Sequence, residues 1–99
     1  MGIQDEVPDM SFQEIMDEIT AICQEQKVRE LYLFGSYATG TATDTSDIDI
    51  VVKGVKDMSE LSLRIEKIKT LKKIDIFDYD NCKNENLREA MERYGKKIY

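Results

Sequence analysis

The chain has 99 residues, of which 41% are hydrophobic and 34% are charged, and its formal net charge is −6. A chain of this length builds one hydrophobic core, so we expect residues 1–99 to form a single domain, with residues 1–10 as a flexible lead-in. The negative charge argues against an extended nucleic-acid interface, because that requires clustered Lys and Arg. The complete absence of histidine excludes histidine metal sites and histidine acid–base catalysis.

No segment approaches the length of a membrane span, and the first residues carry acids where a signal peptide carries bases. We therefore expect a cytoplasmic protein with no membrane contact. Cys23 and Cys82 have neither a CxxC nor a zinc spacing, which predicts two reduced, structural thiols.

The first half of the chain predicts a helix followed by a strand. Ser11 and Glu14 have the spacing of a capping box, and apolar residues then recur at three- and four-residue steps to about Lys27. Residues 31–34 are short, apolar and aromatic, which is typical of a buried strand. Residues 38–46 are polar and predict a connection, with room for one helical turn after Ser36.

The second half begins with a predicted strand over residues 47–53. Asp57 or Ser59 can cap a second helix that runs to about Leu71, with Lys72 and Lys73 in its last turn, where cations suit the helix dipole.

Residues 74–79 alternate in the two-residue period of a third strand. A last helix is predicted from about Asn84 or Asn86 to Tyr94, and Gly95 ends it. The two final residues, Ile98 and Tyr99, can dock either on the sheet or on a partner.

Three carboxylates are expected to meet at one end of this sheet. A helix between the second and third strands makes them parallel neighbours, and the alternation of side chains places Asp47 and Asp49 on one face. Asp75 lies near the start of the third strand. If the first and second strands pair antiparallel, Gly35 and Ser36 arrive at the same end.

Such carboxylates repel one another, and a divalent cation relieves the repulsion. Carboxylate oxygens suit Mg²⁺, which is often shared with substrate phosphates, and two such ions can stabilise the attacking and leaving oxygens of a displacement at phosphorus. Gly35 would let the backbone approach a phosphate closely, while the Ser36 hydroxyl and the amides of a following helical turn would donate hydrogen bonds to it.

The combination of Gly35-Ser36, ten intervening residues and Asp47-Ile48-Asp49, followed by Asp75 on a later strand, resembles the signature of the nucleotidyltransferase superfamily that includes DNA polymerase β. Ser46 also matches the residue that usually precedes the first aspartate. The compact length and helix-first order are similar to the minimal branch, the MNT-type antitoxins found beside HEPN-type toxins. The resemblance implies an α/β (α+β) fold: a small mixed three-stranded sheet with helices packed on one face.

The resemblance also implies an activity, the transfer of a nucleoside monophosphate, AMP from ATP for an MNT-type protein, to a hydroxyl. It assigns Asp47 and Asp49 to two Mg²⁺ ions, Asp75 to the catalytic ion and to deprotonation of the acceptor, and Gly35 and Ser36 to the β- and γ-phosphates. Because the predicted elements use the whole chain, we expect the acceptor to be presented by another molecule. A tyrosine on a HEPN-type toxin fits this expectation.

One residue departs from the family pattern. Thr39 stands where many minimal members carry Arg, and a hydroxyl cannot make the bidentate phosphate contact of a guanidinium. Two alternatives therefore stay open: a non-catalytic antitoxin that uses the fold as a binding scaffold, and a subunit of a two-protein enzyme that modifies a small molecule.

Overall fold

A computed structural model describes residues 9–99 as a mixed four-stranded sheet with helices on both faces. The strands are β1 (Glu30–Phe34), β2 (Ile48–Lys53), β3 (Ile74–Asp78) and β4 (Lys96–Lys97). Their order is β3-β2-β1-β4, in which β1 runs antiparallel to β2 and β4, and β2 runs parallel to β3. The predicted mixed sheet is confirmed. The prediction of three strands missed β4, whose two exposed lysines carry no strand pattern.

The helices are α1 (Phe12–Glu25), α2 (Gly35–Thr39), α3 (Met58–Glu66) and α4 (Glu85–Tyr94), and a 3₁₀ turn covers Tyr79–Asn81. The capping box before α1 is confirmed, since the Ser11 hydroxyl accepts from the Glu14 amide and the Glu14 carboxylate accepts from the Ser11 amide. The single helical turn expected after Ser36 is α2.

Helix α3 ends well before the predicted Leu71. The amides of Lys67 and Ile68 bond to carbonyls three residues back, which tightens the last turn, and Ile68 is then buried in the core. Thr70 and Leu71 are held in the following loop by the Asp9 carboxylate, which accepts from both. Lys72 and Lys73 therefore lie in a loop, and the prediction that they close a helix is wrong.

The core lies between one face of the sheet and helices α1 and α3. Side chains alternate along a strand, so the alternate apolar positions of β1 and β2 share this face. The buried members of the core cluster are Ile15, Met16, Ile19, Cys23, Val28, Leu31, Leu33, Ile48, Ile50, Val52, Leu61, Ile65 and Ile68.

Helix α4 covers the opposite face of the sheet. Its buried Met91 lines a cavity of about 130 Å³ together with Tyr32 and Val51, which point away from the main core. The prediction that the helices pack on one face is therefore correct for α1 and α3 and wrong for α4. The physical reason is visible in β2, where three consecutive residues, Ile50, Val51 and Val52, are all buried, as expected for a strand covered on both sides.

The end of the described chain docks on the sheet, which settles one open alternative. The Tyr99 carbonyl accepts from the Leu31 amide, and its phenol donates to the Val28 carbonyl at 3.0 Å. Residues 1–8 of the predicted flexible lead-in (residues 1–10) lie outside the described residues. The last two residues of that segment are held in place, because Asp9 accepts from Thr70 and Leu71 and Met10 packs against the core. Within residues 9–99, no helix is long and apolar enough to span a bilayer.

Candidate active site

Asp49 and Asp75 face each other across two parallel strands. The register pairs Asp49 of β2 with Asp75 of β3, and pairs Asp49 with Phe34 at the end of β1. The register thus places the two carboxyl groups side by side on neighbouring strands. The structure thus brings together the two aspartates that the sequence placed on separate strands.

Asp47 lies in the loop just before β2, two residues from Asp49, and its side chain is exposed. The negative charge of Asp47 is one of the influences, after burial and Asp75, that raise the pKa of Asp49. Within residues 9–99, however, no three carboxylate or thiol side chains are close enough to form an assembled metal cluster.

Burial raises the pKa of Asp49 above its ordinary value, and the neighbouring Asp75 and Asp47 raise it further, while Lys73 acts in the opposite direction. The ring of Phe34 packs edge-on against that of Phe77, with 6.1 Å between ring centroids. By strand alternation, both rings share the face of the aspartate pair. This apolar flank contributes to the desolvation that favours the neutral carboxyl.

Gly35 is fitted against the same carboxylate. Its φ is +70°, and a Cβ at this position would lie 2.3 Å from Oδ2 of Asp49. Only glycine adopts this backbone conformation at little cost and also leaves that space open. Ser36 follows in the first turn of α2, and Phe34, which precedes the helix, provides no side-chain cap. The predicted Gly-Ser pair therefore reaches the end of the sheet that holds Asp49.

The hydroxyl of Thr39 bonds within its own turn. It lies 3.3 Å from the Gly35 carbonyl, 3.4 Å from the Ser36 carbonyl and 3.1 Å from the Thr41 hydroxyl. Thr39 therefore supplies no positive charge and directs its hydroxyl back into α2.

The sequence reasoning missed Lys73. Its ammonium lies 3.6 Å from Oδ1 of Asp75, and its carbonyl accepts from the amide of Ile48 at the start of β2. The predicted helix places Lys73 in its last turn, away from the site. The two-residue period that places Asp75 on the site face also places residue 73 there, and this signal could have found it.

The mixed sheet, with two paired aspartates and a glycine packed against them, is the arrangement that the resemblance predicts for the nucleotidyl-transfer class of enzyme. Residues 17–99 match the family described as Polymerase beta, Nucleotidyltransferase, and the chain belongs to that family. It is a nucleotidyltransferase. The fold expected from the resemblance is therefore confirmed, with the fourth strand and the position of α4 as corrections.

Two relatives come from Methanocaldococcus jannaschii, and both are named as candidate protein adenylyltransferases. One is 32% identical over 92 residues, which cover 84% of this chain and 98% of the relative. The other is 36% identical over 73 residues, which cover 67% of this chain and 72% of the relative.

Solved structures with a similar fold come from toxin–antitoxin complexes. A toxin–antitoxin structure with AMP-PNP has a TM-score of 0.69 and 26% identity, covering 84% of this chain and 71% of that one. A variant of the MntA–HpeT toxin–antitoxin has a TM-score of 0.65 and 26% identity, covering 85% of this chain and 71% of that one.

Proposed function

We propose that this nucleotidyltransferase transfers AMP from ATP to a hydroxyl group on a partner protein, and that it does so as the antitoxin of a toxin–antitoxin pair. The names of the two Methanocaldococcus relatives support a protein acceptor. The similar toxin–antitoxin structure that contains AMP-PNP supports both an adenine nucleotide and a toxin partner.

The observation that carries the proposal is the packing of Gly35, Asp49 and Asp75. The two carboxyl groups are in register on neighbouring strands, and the glycine approaches one of them so closely that no side chain fits between. A backbone bend that touches a carboxylate pair can bring a phosphate and its counter-cation to the same point. No core-packing role explains two neighbouring half-buried carboxyl groups, one of which, Asp49, has its pKa raised by burial and by the charge of the other.

The donor set fits Mg²⁺. Asp47, Asp49 and Asp75 offer only carboxylate oxygens, the ligands that this ion prefers, and Asp47 already acts electrostatically on Asp49. In the proposal these three residues hold two Mg²⁺ ions. When bound, the ions supply positive charge to the phosphates and to the attacking and leaving oxygens.

The remaining roles belong to the chain itself. Gly35 and Ser36 hold the β- and γ-phosphates, Gly35 by close backbone approach and Ser36 through its hydroxyl. Asp75 accepts the proton of the acceptor hydroxyl. The acceptor is a tyrosine on a HEPN-type toxin, and a cytoplasmic location, where ATP is available, remains part of the proposal.

The test uses ATP labelled on the α-phosphate, Mg²⁺ and the co-expressed partner protein. We expect label on the partner with the wild-type chain and at least a hundredfold less label with Asp47→Asn or Asp49→Asn, because amides are poor ligands for Mg²⁺. Asp17→Asn is the matched control, since Asp17 is exposed on α1 and, within residues 9–99, its side chain accepts a hydrogen bond from Gln13 alone. Its labelling should equal that of wild type.

Three results would contradict parts of the proposal. If no protein is labelled with any of the four nucleoside triphosphates, the acceptor is not a protein. Label on a metabolite indicates the small-molecule alternative. If the Asp47→Asn and Asp49→Asn variants still protect cells fully from the toxin, the protein is a non-catalytic binding scaffold. The neutral hydroxyl of Thr39 is the observation that supports this alternative.

A further inference from the structure

A cavity of about 390 Å³ lies between the loop that precedes β2 and the loop that precedes β3. Asp47 and Ser46 line it from the first loop, and Lys72 and Lys73 line it from the second. Its volume falls in the range of small-ligand sites. The cavity thus joins one predicted metal ligand to two cations that the sequence reasoning did not assign to the site.

The two lysines differ in what already holds them. The Lys72 ammonium donates to the Asp44 carbonyl at 2.8 Å and lies 5.8 Å from the centroid of the Tyr37 ring. The Lys73 side chain is 71% exposed, and its ion pair with Asp75 spans 3.6 Å. A pair this long and this exposed is weak, so a stronger anion can take the ammonium from the carboxylate. Lys73 is therefore the more available cation.

The charge of the site creates a need for such a cation. The two proposed Mg²⁺ ions offset the charge of Asp47, Asp49 and Asp75 and part of the charge of a polyphosphate, and Thr39 contributes no positive charge toward the rest. Ammonium groups bind phosphate oxygens through charge-assisted hydrogen bonds. A lysine at the rim of the cavity is suited to this contact because its long side chain can turn without moving the backbone.

We propose that Lys73 is a leaving-group contact: it pairs with Asp75 in the nucleotide-free enzyme and with the pyrophosphate portion of the bound nucleotide during transfer. The acceptor oxygen forms a bond to the α-phosphorus as the bond from that phosphorus to the bridging oxygen breaks. The bridging oxygen leaves with the electron pair, and the acceptor proton passes to Asp75. The Lys73 ammonium donates a hydrogen bond to the departing pyrophosphate, where negative charge increases.

This inference rests on the proposed use of ATP, and it is tested first by binding. The affinity of the full chain for AMP-PNP with Mg²⁺ is measured by calorimetry for wild type, Lys73→Gln and Lys73→Arg. The affinity for AMP is measured by competition with AMP-PNP. Lys69→Gln is the matched control, because Lys69 is an exposed lysine of the same loop that does not line the cavity.

We expect Lys73→Gln to weaken AMP-PNP binding about ten- to a hundredfold, the range of a charge-assisted hydrogen bond, and to leave AMP binding within about twofold. Lys73→Arg should keep most of the affinity, and Lys69→Gln should match wild type. Because the contact strengthens as charge develops on the pyrophosphate, kcat/KM for ATP should fall by at least the factor by which the AMP-PNP dissociation constant rises.

Two results overturn the inference while leaving the proposed function intact. If Lys73→Gln binds AMP-PNP as tightly as wild type, Lys73 does not contact the phosphates. Equal weakening for AMP-PNP and AMP shows that Lys73 acts through Asp75 and does not touch the pyrophosphate. If wild type binds no AMP-PNP, the use of ATP fails, and the role of Lys73 falls with it.

Discussion

Replacing Gly35 with alanine tests the central contact of the site. The new Cβ would lie 2.3 Å from Oδ2 of Asp49, on a residue whose φ is +70°. Gly40 offers a matched control, because its φ is +81° and a Cβ there would meet no atom within 4 Å. Gly40→Ala therefore imposes the backbone strain alone, and Gly35→Ala imposes the strain together with the collision.

The two costs can be separated by magnitude. Left-handed backbone costs an alanine about 1–2 kcal/mol, so Gly40→Ala should lower the free energy of unfolding by about that amount. The collision at Gly35 adds about 1–3 kcal/mol if the carboxylate stays in place. If Asp49 turns away to relieve it, the loss shifts from stability to activity, because Asp49 then leaves its register partner Asp75.

Urea unfolding and the transfer of labelled AMP are measured for Gly35→Ala, Gly40→Ala and Asp49→Ala, and for the double variant Gly35→Ala/Asp49→Ala. We expect Gly35→Ala to lose at least a hundredfold in activity and Gly40→Ala less than threefold. The double-variant cycle should give a coupling between Gly35 and Asp49 of about 1–3 kcal/mol. Equal behaviour of the two alanine variants, with no coupling, would refute the claim that the glycine is required by the carboxylate.

Three further predictions concern Thr39 and the two thiols. Thr39→Arg should tighten AMP-PNP binding about five- to tenfold in a calorimetric titration, because an exposed turn gains a guanidinium that binds phosphate; unchanged affinity would show that no phosphate reaches this turn. Burial raises the pKa of Cys23 from 9.0 to about 12, so the folded state keeps a proton that the unfolded chain loses. The free energy of unfolding should therefore fall above about pH 9, by up to about 1.4 kcal/mol per pH unit. Urea unfolding at pH 8 and pH 10 should show this extra loss in wild type and not in Cys23→Ala, and an equal loss in both would assign it to other groups. At pH 8 a thiol reagent should modify the half-buried Cys82 and leave the fully buried Cys23 intact.

Most elements of the fold follow from local patterns in the sequence. The capping box at Ser11 and Glu14 fixes the start of α1, and the two-residue period over residues 74–79 identifies β3. Such signals are short-range and depend on the sequence alone. The end of α3 was harder to predict, because it is set by contacts of Ile68 with the core and of Thr70 with Asp9, and no local pattern encodes them.

The sequence by itself determined the chemistry that this protein has available. Without histidine, the groups available for chemistry at phosphate are carboxylates, hydroxyls, lysines and arginines, and the spacing of Gly35, Asp47 and Asp49 predicts a phosphate beside a metal ion. Which strands pair, in what register they pair, and which side chains therefore lie close together were decided only by the tertiary structure. Asp49 and Asp75 meet because β2 and β3 are parallel neighbours, and Lys73 reaches Asp75 because the chain leaves α3 early and returns along the sheet. These contacts join residues far apart in the chain, so their energies depend on which strands pair, and a linear pattern does not contain that information.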